Sequence, residues 1–168
     1  MASDTRVLQR VLADLAATEN LARALAGLVR RGDVIGLAGE LGAGKTTFAR
    51  AFLRARAGAE REEVPSPTFT LAQAYDLPGL PVWHFDLYRL AKAEDAFELG
   101  IEEAFAEGVS LIEWPGRLGR WLPVDRLDIV LTQGPLPDAR NAMLVGRESW
   151  ARRLDDLEAL EAGAASDA

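Results

Sequence analysis

The chain has 168 residues, 49% hydrophobic and 27% charged, with a formal net charge of -7; this is the make-up of one ordinary globular domain with a sizeable core, and it is too acidic for an extended electrostatic grip on nucleic acid. The absence of cysteine and the presence of one histidine, His84, exclude a disulfide framework, a thiolate zinc site, a cysteine nucleophile and a multi-histidine metal centre. No stretch approaches the ~18 uninterrupted apolar residues of a membrane span and residues 1–10 lack a signal peptide's apolar core, so a cytoplasmic protein is expected.

In chain order, residues 11–15 read as a short strand and a helix is expected from Thr18. The Thr18 hydroxyl suits an N-cap, Glu19 suits the positive end of the helix dipole, and Leu21, Ala24, Leu25 and Leu28 recur at helical spacing. After an exit turn at Gly32 and Asp33, residues 34–38 form an apolar run of the kind expected of a strand buried on both faces. A helix over 46–57 and a breaker-rich loop over 58–67 follow. Residues 68–75 alternate as a strand with Phe69, Leu71 and Tyr75 on one side, and the turn at Leu77, Pro78 and Gly79 pairs it with 81–86 as a hairpin. Helical segments are expected over 93–99 and 101–106, and strands over 109–112, 127–131 and 142–145. Trp150, Leu154 and Leu157 mark a closing amphipathic helix. The sum is a three-layer α/β/α sandwich around a mixed, largely parallel sheet, with 1–162 as one nucleotide-binding domain and 163–168 as a frayed tail.

The most informative segment is Gly39-Glu40-Leu41-Gly42-Ala43-Gly44-Lys45-Thr46, which meets the P-loop spacing of two glycines four residues apart followed by lysine and a hydroxyl. The glycines let successive N–H groups converge on an anion, and the helix that starts near Lys45 adds its positive end. The Lys45 ammonium then bridges the terminal phosphates, and the Thr46 hydroxyl reaches magnesium. Of the nineteen basic side chains only Lys45 and Lys92 are lysine, which makes a lysine in that register less incidental. A ligand-free glycine turn has no need of Lys45-Thr46 in register, and the G-x-G-x-x-G spacing of a dinucleotide site is absent.

Hydrolysis needs an acid near the metal, a positioned water and a sensor of the terminal phosphate. Asp86 ends the run from Val82 and Glu113 ends the run from Val109, so two carboxylates stand at strand tips behind the loop. Either alone is equally well a solvated strand end. Residues 65–68 lie between them and the P-loop helix, as a sensing loop carrying Thr68 or as a rigid proline turn. His84 reads as a packing or hydrogen-bonding residue. Trp114 reads first as a core anchor, otherwise as a wall of the site or a docking surface, and it points to the face opposite Glu113 if the strand runs that far.

Together these residues resemble the bacterial TsaE (YjeE) family, the small ATPase of the tRNA threonylcarbamoyladenosine pathway. The likeness covers roughly residues 18–128. It rests on Thr18-x-x-Leu21, the P-loop continuing through Thr47-Phe48, Ser66-Pro67-Thr68-Phe69-Thr70-Leu71, His84-Phe85-Asp86-Leu87-Tyr88-Arg89-Leu90 and Ile112-Glu113-Trp114-Pro115. The resemblance implies that Leu41, Gly42, Ala43, Gly44, Lys45, Thr46 and Thr47 bind ATP, that Thr46 and Glu113 hold Mg2+, and that Asp86 is the strand-end acid required for activity. It also implies partners, the TsaB and TsaD proteins, with tRNA reached only through their complex. Gly116 and Arg117 depart from the acidic or amide residue that commonly follows the last motif, and Ala22 stands where relatives often carry glycine. After Gly134 the match is weak, with Arg140 as a candidate nucleotide contact. The rival readings are a small P-loop kinase with an arginine-rich lid and a nucleotide-gated binding module with negligible turnover.

Overall fold

A computed structural model describes residues 4–58, 71–77 and 79–166. Seven strands form one mixed sheet: β1 (Thr5–Leu12), β2 (Val34–Ala38), β3 (Ala72–Tyr75), β4 (Val82–Asp86), β5 (Val109–Glu113), β6 (Leu127–Gln133) and β7 (Arg140–Arg147), in the spatial order β1-β7-β6-β2-β5-β4-β3. The four central strands, β6, β2, β5 and β4, are parallel, and antiparallel pairing brings in β7 and β1 on one flank and β3 on the other. Helices α1 (Leu15–Ala26), α2 (Lys45–Ala57) and α4 (Ser149–Ser166) cover one face. The opposite face packs against α3 (Ile101–Glu107) and the 3-10 segments Ala93–Leu99 and Pro115–Trp121. The expected α/β fold with a mixed sheet is the one observed.

Burial follows strand alternation. Ile35 and Leu37 of β2 face the first layer with Leu111, Leu131, Phe48, Phe52 and Trp150, whereas Val34 faces the second with Phe85, Ile112, Ile101 and Leu118. A strand covered on both sides has no polar face to show, which is why β2 reads as a continuous apolar run. The parallel register matters for the site. Leu37 pairs with Glu113, and Asp86 pairs with Glu113, so the end of β2 and the tips of β4 and β5 arrive side by side.

Three expectations need correction. The first strand spans Thr5–Leu12 rather than 11–15, pairing along its whole length with β7. Its period was hidden because Val7 and Val11 lie exposed on the outer face while Arg10, on the inward face with Leu8 and Leu12, reaches Glu161 of α4 at 2.7 Å. The helix begins at Leu15, with Asp14 as its N-cap: the Ala17 N–H donates to Asp14 Oδ1 at 2.8 Å, and Thr18 is buried inside the first turns. Third, β3 starts at Ala72, because Leu71 adopts φ 60, and residues 68–70 lie outside the described residues. The closing helix α4 spans Ser149–Ser166.

The Asp14 cap carries a test: Asp14→Ala lowers unfolding stability by about 1 kcal/mol, the usual worth of such a cap, whereas Asp14→Asn largely preserves it. Denaturant unfolding checks this, and equal loss in both variants would assign the effect to charge instead. Among the described residues, no helix is long and apolar enough to cross a membrane.

Candidate nucleotide site

The loop after β2 turns on glycine. Gly39 sits at φ 141, where a Cβ would stand 2.4 Å from the Leu131 carbonyl oxygen, so no larger residue fits without moving β6. Gly44, at φ 102, is the residue before α2 and leaves that helix without a side-chain cap. The first backbone N–H groups of α2 therefore face the cleft with no side chain competing for them. Arg140 of β7 props the loop from outside, its Nε donating to the Ala43 carbonyl at 2.8 Å.

Lys45, nearly buried, folds back over the loop and donates to the carbonyls of Gly39 and Glu40 at 2.6 and 2.7 Å. Burial lowers its pKa, and the carboxylates of Glu113 and Asp86 act in the opposite direction. Its Nζ lies 4.4 Å from the centre of the Trp114 ring, which also packs on Tyr88 with ring centres 5.0 Å apart.

Glu113 is buried at the tip of β5, and each of its oxygens has a partner. Oε1 accepts from the Thr46 hydroxyl at 2.8 Å, and Oε2 lies 2.7 Å from His84 Nε2. Asp86, at the adjacent tip, accepts from the Tyr88 N–H at 3.2 Å. Burial pushes the Asp86 carboxyl up; the Tyr88 hydrogen bond lowers it, Glu113 raises it, and His84 and Lys45 lower it.

Leu41, Gly42, Gly44, Lys45, Thr46, Thr47, Asp86, Glu113 and Trp114, expected from the sequence, line one cleft of about 240 Å³ together with Tyr88 and Arg140. Ala43 sits beneath it as a buried loop residue. Thr68, with Pro65 to Pro67, lies outside the described residues. Trp114 does not point away from Glu113: half-buried, it packs against the second-layer core and also walls the cleft. The strand ends at Glu113 and Trp114 adopts φ 60, ψ 52, which turns its half-buried ring back over Lys45, so both side chains address the same cleft. His84 is fully buried, and the sequence reading stopped at hydrogen bonding without naming Glu113 as the partner. The available signal was its spacing, two residues before Asp86 and therefore on the same sheet face. Tyr88, from the same motif, joins the cleft as well.

Among the described residues, no three His, Cys, Asp or Glu side chains form a metal-binding group. The donors at this site are a hydroxyl and two carboxylates, hard oxygens too few to enclose a cation. That set suits Mg2+, which keeps waters and takes substrate phosphate oxygens alongside one or two carboxylates. Two carboxylates beside a phosphate-binding loop would repel an anionic ligand unless a cation lay between them.

A family model described as threonylcarbamoyl adenosine biosynthesis protein TsaE matches residues 12–141. The tRNA threonylcarbamoyladenosine biosynthesis protein TsaE of Rickettsia bellii is 37% identical over 73% of this chain and 85% of its own length. The protein of the same description from Bacillus subtilis is 41% identical over 68% of this chain and 70% of its own. The crystal structure of Bacillus subtilis YdiB superposes with a TM-score of 0.76 at 26% identity, covering 94% of this chain and 97% of that one. The matched span takes in the glycine loop, both strand-tip acids and Trp114, and the chain belongs to the TsaE family.

Proposed function

We propose that this chain binds ATP with Mg2+ and hydrolyses it, in the service of threonylcarbamoyl modification of the adenosine next to the anticodon of tRNA. The observation that carries this reading is the 2.8 Å hydrogen bond between Thr46 and Glu113, which joins the P-loop helix to a strand-tip carboxylate beside Asp86 and Lys45. Lys45 leaves the loop carbonyls to pair with the β- and γ-phosphates, and the α2 N–H groups hold their oxygens. Thr46 and Glu113 would hold Mg2+, with Asp86 beside them, and the ion would supply positive charge to offset the negative charge developing during phosphoryl transfer. Asp86 or Glu113 orients the attacking water. Thr18 and Asp138 line an adjoining cleft of about 210 Å³ that shares Gly44, Thr47 and Arg140, and the nucleoside extends into it.

The proposed partners are TsaB and TsaD. Hydrolysis resets their transferase complex, and tRNA is met only through it, in keeping with the net charge of -7. A kinase reading has less support, because Arg140 is the one arginine among the described residues lining the cleft and it is engaged by loop carbonyls. The deciding experiment measures phosphate release from ATP with Mg2+ by the purified chain, alone and with TsaB and TsaD, and threonylcarbamoyladenosine formation on tRNA. No hydrolysis under any of these conditions would rule the reading out, and ADP release that requires an added acceptor would favour the kinase.

The raised Asp86 pKa gives a prediction of its own. The folded state holds that proton more tightly than the unfolded chain, so the carboxyl's contribution to stability is full below its ordinary value of 3.8 and is lost as pH rises through its folded pKa. Asp86→Asn is therefore expected to match or exceed wild-type stability at neutral pH while losing hydrolysis. In the wild type the acid limb of hydrolysis should move to lower pH as Mg2+ is raised, since a nearby cation favours the ionised form of Asp86. An acid limb insensitive to Mg2+ would assign the titration to another group.

A further inference from the structure

Buried side chains of β4 and β5 that face α2 are apolar with one exception before the strand tips. Val82, Val109 and Leu111 pack there, and His84 stands among them with no exposed surface. A packing role alone is better met by an apolar residue, because a buried polar atom without a partner costs free energy. His84 carries that cost: its Nδ1 has no hydrogen-bond partner. Its other nitrogen has a specific one, Glu113 Oε2 at 2.7 Å.

The strand register explains the contact. His84 lies two residues before Asp86 and so shares its face, and Asp86 is the direct neighbour of Glu113 on the adjacent parallel strand. The imidazole therefore reaches diagonally to the rear oxygen of Glu113, and the front oxygen is left for the Thr46 hydroxyl. A glutamate has three side-chain torsions and would sample several rotamers at a strand end. With Oε2 tied to a ring that is itself locked in the core, those rotamers collapse to the one facing Thr46.

We infer that His84 is a positioning residue that donates from Nε2 to Glu113 Oε2 and thereby holds Oε1 toward Thr46 in the geometry that accepts a divalent cation. This rests on the Mg2+-dependent nucleotide reading above. His84 touches neither nucleotide nor metal, and its effect is on cation affinity rather than on nucleotide grip.

The test uses the full chain and three variants. His84→Leu removes the donor at similar bulk, His84→Gln places an amide N–H near the position of Nε2, and His84→Asn is too short to reach. Calorimetry measures ADP affinity without metal and the Mg2+ concentration that half-saturates the tightening of a nonhydrolysable ATP analogue. In His84→Leu and His84→Asn that concentration should rise by roughly tenfold or more, the usual scale for removing a group that orients a metal ligand. Metal-free ADP affinity should stay within about twofold, and His84→Gln should recover most of the loss.

An unchanged Mg2+ requirement in folded His84→Leu, or a parallel fall in metal-free ADP affinity, overturns the inference. If the wild type itself shows nucleotide binding indifferent to Mg2+, the functional reading fails and this inference falls with it. Should the variants not fold, the wild type still decides. It has one histidine, so 15N spectra of the imidazole report a single ring, and a neutral ring protonated at Nδ1 instead of Nε2 contradicts the proposed donor.

Discussion

Replacing Lys45 by alanine is expected to abolish the proposed ATP hydrolysis and to weaken ATP binding by about tenfold or more, ~1.4 kcal/mol at the least, while the melting temperature stays close to that of the wild type. The functional half of this follows from the loop. Lys45 is the one lysine of the cleft, and Arg140, the other cation lining it among the described residues, is tied to loop carbonyls from outside. The stability half follows from what the lysine does without ligand. Its ammonium is desolvated, enough to lower its pKa, and it is compensated by the carbonyls of Gly39 and Glu40 and by the Trp114 ring. Alanine loses those contacts and also relieves the desolvation. The freed carbonyls belong to a partly exposed loop where water can replace the donor. Calorimetry with ATP and Mg2+, together with thermal unfolding, checks both halves. A folded variant with unchanged affinity and turnover sinks the P-loop assignment.

The parts of this site that could be read without coordinates are those whose chemistry is local in sequence. Eight consecutive residues make the glycine-rich loop proposed to hold phosphate, and the buried run before it, Val34–Ala38, identifies itself by having no polar face. The strand-tip acids were legible for the same reason, each closing an apolar run. What was missed depends on contacts between distant residues. His84 and Glu113 are 29 positions apart, and only the parallel register of β4 and β5 makes one the orienting partner of the other. The hydroxyl of Thr18 suits an N-cap in sequence, yet Asp14 takes that position, because α1 must start at Leu15 in order to bury Thr18, Leu21 and Leu25. β1 was cut short because Arg10 occupies an inward position, tolerable only because Glu161 of α4 is there to meet it. Trp114 defeated the alternation rule through a single residue at positive φ, and nothing about a tryptophan announces that conformation.

That turn sets the terms of the second large effect, because Glu113 and Trp114 share a cleft yet should fail differently. Glu113→Gln keeps shape but replaces an acceptor oxygen by a donor N–H, so one of the two contacts, to Thr46 or to His84, must break or reverse. ATP should remain bound, with turnover reduced by at least about tenfold, ~1.4 kcal/mol of transition-state stabilisation. Trp114→Ala removes a ring that is half-buried and contacts Lys45 and Tyr88. Its cost in stability should therefore fall below the ~3–5 kcal/mol of a fully buried aromatic truncation. Thr46 and Glu113 are untouched by that change, so Mg2+-dependent ATP binding should fall by less than about tenfold. If the ring's outer face docks the TsaB and TsaD complex, partner binding and partner-stimulated hydrolysis should fall much further than basal affinity, as expected for an aromatic anchor. Melting temperature, ATP affinity and pull-down of the two partners, measured on both variants, separate the outcomes. A Trp114→Ala protein as destabilised as a core truncation would return the residue to the role of packing, and equal loss of nucleotide binding in both variants would contradict the division of labour between the carboxylate and the ring.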